Sequence, residues 1–332
     1  MAAPLWTRSG RRRSSVGLAI VGAVLLAGCS SSGHPSGATG TPTTSAVATP
    51  TTTAAAAGVP PAVPNTGAYL GAWLHPQAGD NGPSFAQEQA ALPSVVAATG
   101  RPLGLLHIYA PWARPAPVAS LRTVASAGST PLLDWGCGPD VATLAGGADD
   151  QLITSYATSL RSYGAPVLLR WCWEMNLAAL HPQMGGPTGF VSAWNHIRAL
   201  FRTAGATNVA FVWCPALTGV DPAPYFPGDA AVDWIGVDGY DRDGGQTFAS
   251  LFTSFYRTWL PSGKPMMVAE TGASGSAQVP FLDSIGTDAP AMPAFKAVVY
   301  FDAPGPLADW QFTPEGLQAF ARLAAQPYFQ PH

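Results

Sequence analysis

Residues 166–174 read Pro166-Val167-Leu168-Leu169-Arg170-Trp171-Cys172-Trp173-Glu174. A short run so nearly continuous in apolar residues predicts a strand over 166–171 that is buried on both faces, with a carboxylate closing it. Runs of the same kind recur at 68–74, 103–109, 130–135, 209–213, 234–237, 265–269 and 296–301, which makes eight. Helix-like segments separate them, among them 84–98, 149–163, 188–204, 248–259 and 313–325. The last carries its own start signal, with Thr313 as N-cap, Pro314 at the first helical position and Glu315 in the first turn.

This alternation predicts parallel strands joined by crossover helices, an α/β protein. Eight such units in about 265 residues match the size of a (β/α)8 TIM barrel. A doubly wound sheet would commonly show a Gly-rich phosphate turn after its first strand, and 67–71 is no such turn. In a barrel the active site lies at the C-terminal ends of the strands, so the residues that close each run are the candidates for chemistry.

Outside this region the chain changes character. Arg8, Arg11, Arg12 and Arg13 precede the apolar stretch 16–28, which ends in small residues before Cys29. Charged region, short apolar region and small residues in that order predict an export signal over 1–28. The residues before Cys29 resemble the bacterial lipobox, which implies Cys29 as a lipid anchor and an extracytoplasmic location at the cell membrane or surface. Residues 29–66 are Ser, Thr, Ala, Pro and Gly in the main, with no charged side chain, a composition that predicts a flexible tether. The folded domain is then expected over 67–332.

With 16 Lys plus Arg against 19 Asp plus Glu, the chain lacks the basic excess that nucleic-acid binding needs. The leader holds four of the 16 basic residues and none of the acidic ones, so the remainder has 12 against 19, a net charge of -7. The stretch 16–28 falls short of a spanning helix, so a multipass membrane protein is excluded. A monomer without a cofactor is expected.

The chain holds only four glutamates, Glu88, Glu174, Glu270 and Glu315. Glu88 fits a solvated helix face and Glu315 a helix N-terminus. Glu174 and Glu270 instead close the fourth and seventh apolar strands, which face each other across the mouth of an eight-stranded barrel. A pair of carboxylates there, one protonated and one ionised, is what a retaining glycosidase requires.

The segments 170–176 (Arg-Trp-Cys-Trp-Glu-Met-Asn), 208–215, 232–241 (Val-Asp-Trp-Ile-Gly-Val-Asp-Gly-Tyr-Asp), 264–272 and 301–311 resemble, in that order, glycoside hydrolase family 26. That family includes endo-β-mannanases and related β-glycanases of the retaining (β/α)8 clan. The resemblance implies Glu174 as general acid/base and Glu270 as nucleophile, acting on a β-linked polysaccharide of the β-mannan type. It also implies Tyr240 beside the nucleophile, Asp238 as a sugar contact, and His107 and Trp310 as walls of the cleft. Aromatic rings stack on sugar faces, so Trp310 and Trp112 are further expected as sugar platforms.

The chain departs from the family pattern near the substrate. Trp173 stands where His is common before the acid/base, making it a substrate contact of altered character. The stretch Leu177-Ala178-Ala179-Leu180 is aliphatic where aromatic residues are usual, and Gln311 follows Trp310 in place of Arg. These changes touch specificity rather than the carboxylates. They leave open a different β-glycan, an envelope glycan, or carbohydrate binding without turnover.

Cys137, Cys172 and Cys214 fall at the ends of neighbouring strands. A disulfide between two of them suits an exported protein and leaves one thiol free. No C-x-x-C or H-E-x-x-H spacing is present, so no metal is expected.

Overall fold

The computed structural model describes residues 58–75, 85–177, 179–305 and 308–330. The leader and Cys29 lie outside these residues. Eight parallel strands close into a barrel in sequence order, with the last pairing the first. They are β1 (Tyr69–Leu74), β2 (Leu105–Ala110), β3 (Thr130–Trp135), β4 (Val167–Trp171), β5 (Val209–Trp213), β6 (Trp234–Asp238), β7 (Met266–Thr271) and β8 (Phe295–Asp302). This is the (β/α)8 TIM barrel expected from the strand count.

Alternation along each strand divides the core into two layers. One set of side chains fills the barrel interior, including Leu105, Leu132, Leu168, Trp234, Met267 and Val299. The other set points outward and packs beneath the helices, where Trp135, Trp171 and Trp213 are fully buried. The barrel is therefore filled below and leaves space for chemistry only at its mouth.

The helices are α1 (Phe85–Thr99), α2 (Val118–Ser126), α3 (Val141–Ala145), α4 (Asp150–Tyr163), α5 (Pro187–Thr203), α6 (Phe248–Trp259), α7 (Gln278–Asp288) and α8 (Pro314–Ala324). Local chemistry sets several of their ends. The Thr313 hydroxyl accepts from the Gly316 N–H at 2.9 Å and caps α8 as its sequence signal predicts. Thr247 and Ser250 form a reciprocal capping box at α6. The connection from β5 to β6 holds only two short 3-10 turns, Ala223–Tyr225 and Asp229–Ala231. No described helix is long and apolar enough to cross a membrane.

Composition placed residues 58–66 in the tether, yet they lie against the barrel. Pro61 and Pro64 are buried. The Gly58 N–H donates to the Gly164 carbonyl at 2.7 Å, and the Thr207 hydroxyl donates to the Gly58 carbonyl at 2.6 Å. The Tyr69 hydroxyl reaches the Ala62 carbonyl at 3.1 Å. Gly164 and Thr207 precede β4 and β5, so this segment straps the end of the barrel opposite the mouth.

Candidate active site

The seventh strand places its carboxylate by breaking its own alternation. Met267 and Ala269 face the barrel interior, so strict alternation would send Glu270 outward. Val268 pairs with Val237 of β6, but the next pair is Glu270 with Asp238, leaving Ala269 as an extra residue. This bulge turns Glu270 inward, the re-aiming that bulges supply beside active sites.

Around Glu270 stands a set of donors. The Tyr109 hydroxyl donates to its Oε1 and the Tyr240 hydroxyl to its Oε2, each at 2.5 Å. The Arg170 guanidinium also donates to Oε1. Every partner donates, so Glu270 accepts on both oxygens, as an ionised carboxylate does.

Arg170 organises the floor of the site. Fully buried on β4, it donates through Nε to Asp134 at 2.7 Å and through one terminal nitrogen to both oxygens of Asp238 at 2.7 Å. Asp134 lies opposite it in register on β3, and His107 Nε2 stands 2.9 Å from the same carboxylate. Burial alone would push Asp134 up, but Arg170 and His107 outweigh it and hold its carboxyl below the usual range. A buried guanidinium needs carboxylates to balance it, and three strands supply them.

Glu174 is different in kind. It lies just past β4 on a turn whose N–H donates to the Cys214 carbonyl at 2.8 Å. Its carboxyl makes no hydrogen bond among the described residues. Burial first, and then the charge of Glu270, push it up to about 7, against the pull of Arg170 and Arg242. A carboxyl protonated near neutrality therefore faces an acceptor carboxylate across the mouth.

Aromatic rings fence Glu270. Tyr240 packs on Trp310 at 4.5 Å and on the edge of Phe301 at 5.8 Å. Trp73 contacts Phe301 at 4.6 Å and Tyr109 at 4.8 Å, and Tyr109 meets Trp173 at 5.1 Å. Trp173 also lies over Arg170, 5.8 Å from its guanidinium carbon, and keeps partial exposure.

The other residues expected at the site lie as follows. The structure places the side chains of His107 and Asp238 fully buried in the Arg170 network. Trp310 is 4% exposed. An added Cβ at Gly305 would fall 1.8 Å from its ring, and at Gly272 2.9 Å, so backbone lies close on the indole and it backs Tyr240 rather than offering an open face. Trp112 stacks on Trp135 at 4.1 Å, and its indole N–H donates to Asp149 at 3.0 Å. Because Trp135 points outward, Trp112 belongs to the layer under the helices. Glu88 is no solvated residue: it accepts from the Trp73 indole N–H at 2.9 Å, and burial pushes it up to about 7 although that bond lowers it.

Cys137 and Cys172 form a disulfide, and Cys214 is the free, buried thiol. Cys214 donates to Asp238 at 3.2 Å. Among the described residues, Cys137, Cys172 and His181 gather at one point, and His107, Asp134 and Glu270 at another. The two sulfurs of the first group are joined to each other, and Asp134 and Glu270 of the second are engaged by Arg170.

No protein-family model matches the chain. Among curated proteins it is 27% identical over 228 residues to Endoglucanase H of Acetivibrio thermocellus, covering 62% of this chain and 24% of that protein. The chain thus spans about a quarter of that relative's length. Among solved structures it is similar to a family-26 β-mannanase from Bacteroides ovatus, with a TM-score of 0.57 and 16% identity over 80% of this chain and 90% of the other. A β-mannanase from a symbiotic protist of the termite Reticulitermes speratus, complexed with a gluco-manno-oligosaccharide, gives 0.59 and 14% over 80% and 88%. A modular endo-β-1,4-mannanase from Cellulomonas fimi gives 0.57 and 16% over 79% and 71%. These likenesses show the fold.

Proposed function

We propose that the protein is a retaining glycoside hydrolase that cleaves a β-linked polysaccharide, with endo-hydrolysis of a β-mannan as the leading activity. The observation that carries this reading is the asymmetry of two carboxyls at one barrel mouth. Glu270 is gripped by donors on both oxygens, whereas Glu174 is half-buried, makes no hydrogen bond among the described residues and is raised to about 7.

In the first step Glu270 attacks the anomeric carbon while Glu174 gives its proton to the departing glycosidic oxygen. In the second, Glu174 takes a proton from water, which displaces Glu270 from the sugar. Tyr240 and Tyr109 orient the nucleophile, and Arg170 holds it against the Asp134 and Asp238 charges. Trp173 and the exposed Leu180 form the rim that sets specificity apart from mannanases with aromatic residues there. The mannanase and endoglucanase relatives support a β-glycan substrate.

The leader and Cys29 support lipid anchoring outside the cytoplasm, where such a polymer would be met. The experiment is release of reducing ends by the protein from β-mannans, β-glucans, xylans and envelope polysaccharides, with Glu270→Ala as control. Release from mannan that vanishes in the control is expected. Release from another glycan moves specificity to the Trp173 rim, and tight binding without release overturns the enzymatic reading in favour of a carbohydrate-binding lipoprotein.

A further inference from the structure

The turn that carries Glu174 is held in an unfavourable backbone. Among the described residues, Cys172 (φ 50°) and Glu174 (φ 52°) are the non-glycine residues in the left-handed region. That region disfavours L-residues and persists only where the surroundings fix it. Hydrogen bonds fix both flanks: the Cys172 N–H donates to the Trp135 carbonyl at 3.0 Å, and the Glu174 N–H to the Cys214 carbonyl at 2.8 Å.

Two further ties meet between those flanks. Cys172 is bonded to Cys137, in the loop after β3. His181 reaches back from beyond the turn: its Nε2 lies 2.9 Å from the carbonyl oxygen of Trp173, the residue between Cys172 and Glu174, while its Nδ1 only touches the Cys137 sulfur at 3.0 Å, since a disulfide sulfur has no proton to donate. A carbonyl only accepts, so Nε2 carries the ring proton and donates, leaving the Nδ1 lone pair toward the sulfur. Burial holds the His181 ring down at about 4, so it stays neutral and this tautomer persists at neutral pH.

We propose that the Cys137–Cys172 disulfide and His181 form a positioning clamp for Glu174: the disulfide fixes the turn at Cys172, and the imidazole fixes the carbonyl immediately before Glu174. This rests on the reading of Glu174 as the acid/base. Neither group touches substrate; both act through the backbone of 172–173. The clamp ties acid/base function to an oxidising location. An external dithiol opens its covalent side: the dithiol is oxidised to its own disulfide, while Cys137 and Cys172 each gain an electron and a proton.

The titratable and charged groups facing Glu174 are Arg170 on β4, Glu270 on β7, Asp134 on β3, Asp238 on β6 and Arg242 after β6, and none belongs to the clamp. The test uses protein labelled with 13C at its glutamate carboxyls, four in the whole chain, with the Glu174 signal assigned by its loss in Glu174→Gln. In His181→Phe, which keeps the disulfide, and in the dithiol-reduced parent, the Glu174 midpoint is expected to fall by a unit or more as the carboxyl escapes into water. On a glycan whose leaving group needs a proton, kcat/KM should fall about tenfold or more, whereas kcat/KM for a dinitrophenyl β-glycoside, which reports only the first step, should stay near the parental value. An unchanged Glu174 midpoint in both forms, or equal losses on both substrates, overturns the clamp. If the parent cleaves no glycan the proposed function falls, and the titration still decides the clamp.

Discussion

Arg170 is one guanidinium shared among Asp134, Asp238 and Glu270, all removed from water. Replacing it with Met strands those carboxylates, and a loss on the order of 3–5 kcal/mol in unfolding free energy by urea titration is expected. At Tyr240 the lever is smaller and local. Tyr240→Phe removes the donor to Glu270 Oε2 and is expected to lower kcat about 10- to 100-fold, the worth of one hydrogen bond to a charged group, with the melting temperature nearly unchanged. As the proposed acid/base, Glu174 sets the alkaline side of the pH dependence: its carboxyl, raised to about 7, acts as an acid only while protonated. The rate should therefore fall as pH rises through 7, and Glu174→Gln should abolish that limb together with a 10²- to 10⁴-fold loss on unactivated substrates, read from pH–rate profiles. The sequence exposed Glu174 and Glu270 because each closes an apolar strand in a chain with few glutamates. It did not expose Arg170, Asp134 or Tyr109, which sit inside strands and read as alternation. A signal for Arg170 existed: a charged residue inside a buried strand demands carboxylates on neighbouring strands, and Asp134 and Asp238 were there to be matched.

Among the elements, the strands were legible almost to the residue, since parallel strands buried on both faces leave unbroken apolar runs. Thr130–Trp135 and Val209–Trp213 coincide with their expected ranges. The bulge in β7 was not legible, because nothing in Met266-Met267-Val268-Ala269-Glu270 marks which residue loses its partner. The depth of His107 and Asp238 was hidden for a related reason: closeness to a strand's C-terminal end does not say how deep a side chain lies. Glu88 of α1 was misread because a helix face is assigned water by default, whereas Trp73 reaches it from the barrel. Its carboxyl is raised to about 7 by burial, so the fold favours the protonated form. That stability is fully present below the ordinary carboxylate range and is lost as pH rises through about 7. Glu88→Gln keeps an acceptor for the Trp73 indole and is expected to flatten the decline in stability between pH 5 and 8, as measured by denaturation at a series of pH values.

For the molecule as a whole, stability and chemistry sit at opposite ends of the barrel. The strap over 58–66 closes the end away from the mouth, so a chain starting at Gly67 should lose about 2 kcal/mol, from two buried prolines and a few hydrogen bonds, without loss of turnover. Composition could not reveal this strap, since Pro-rich chain seated on a surface looks the same in sequence as Pro-rich chain in solvent. The disulfide, by contrast, ties the mouth itself, and the free Cys214 lies beneath it against Asp238. We propose that Glu270 and Glu174 perform a double displacement at this mouth. It is tested most directly by proton NMR of the first reducing ends released from the β-glycan that the protein cleaves. The β-anomer is expected first, with the α-anomer appearing only as the product mutarotates. An α-anomer formed first, or no product from any β-glycan, would contradict it.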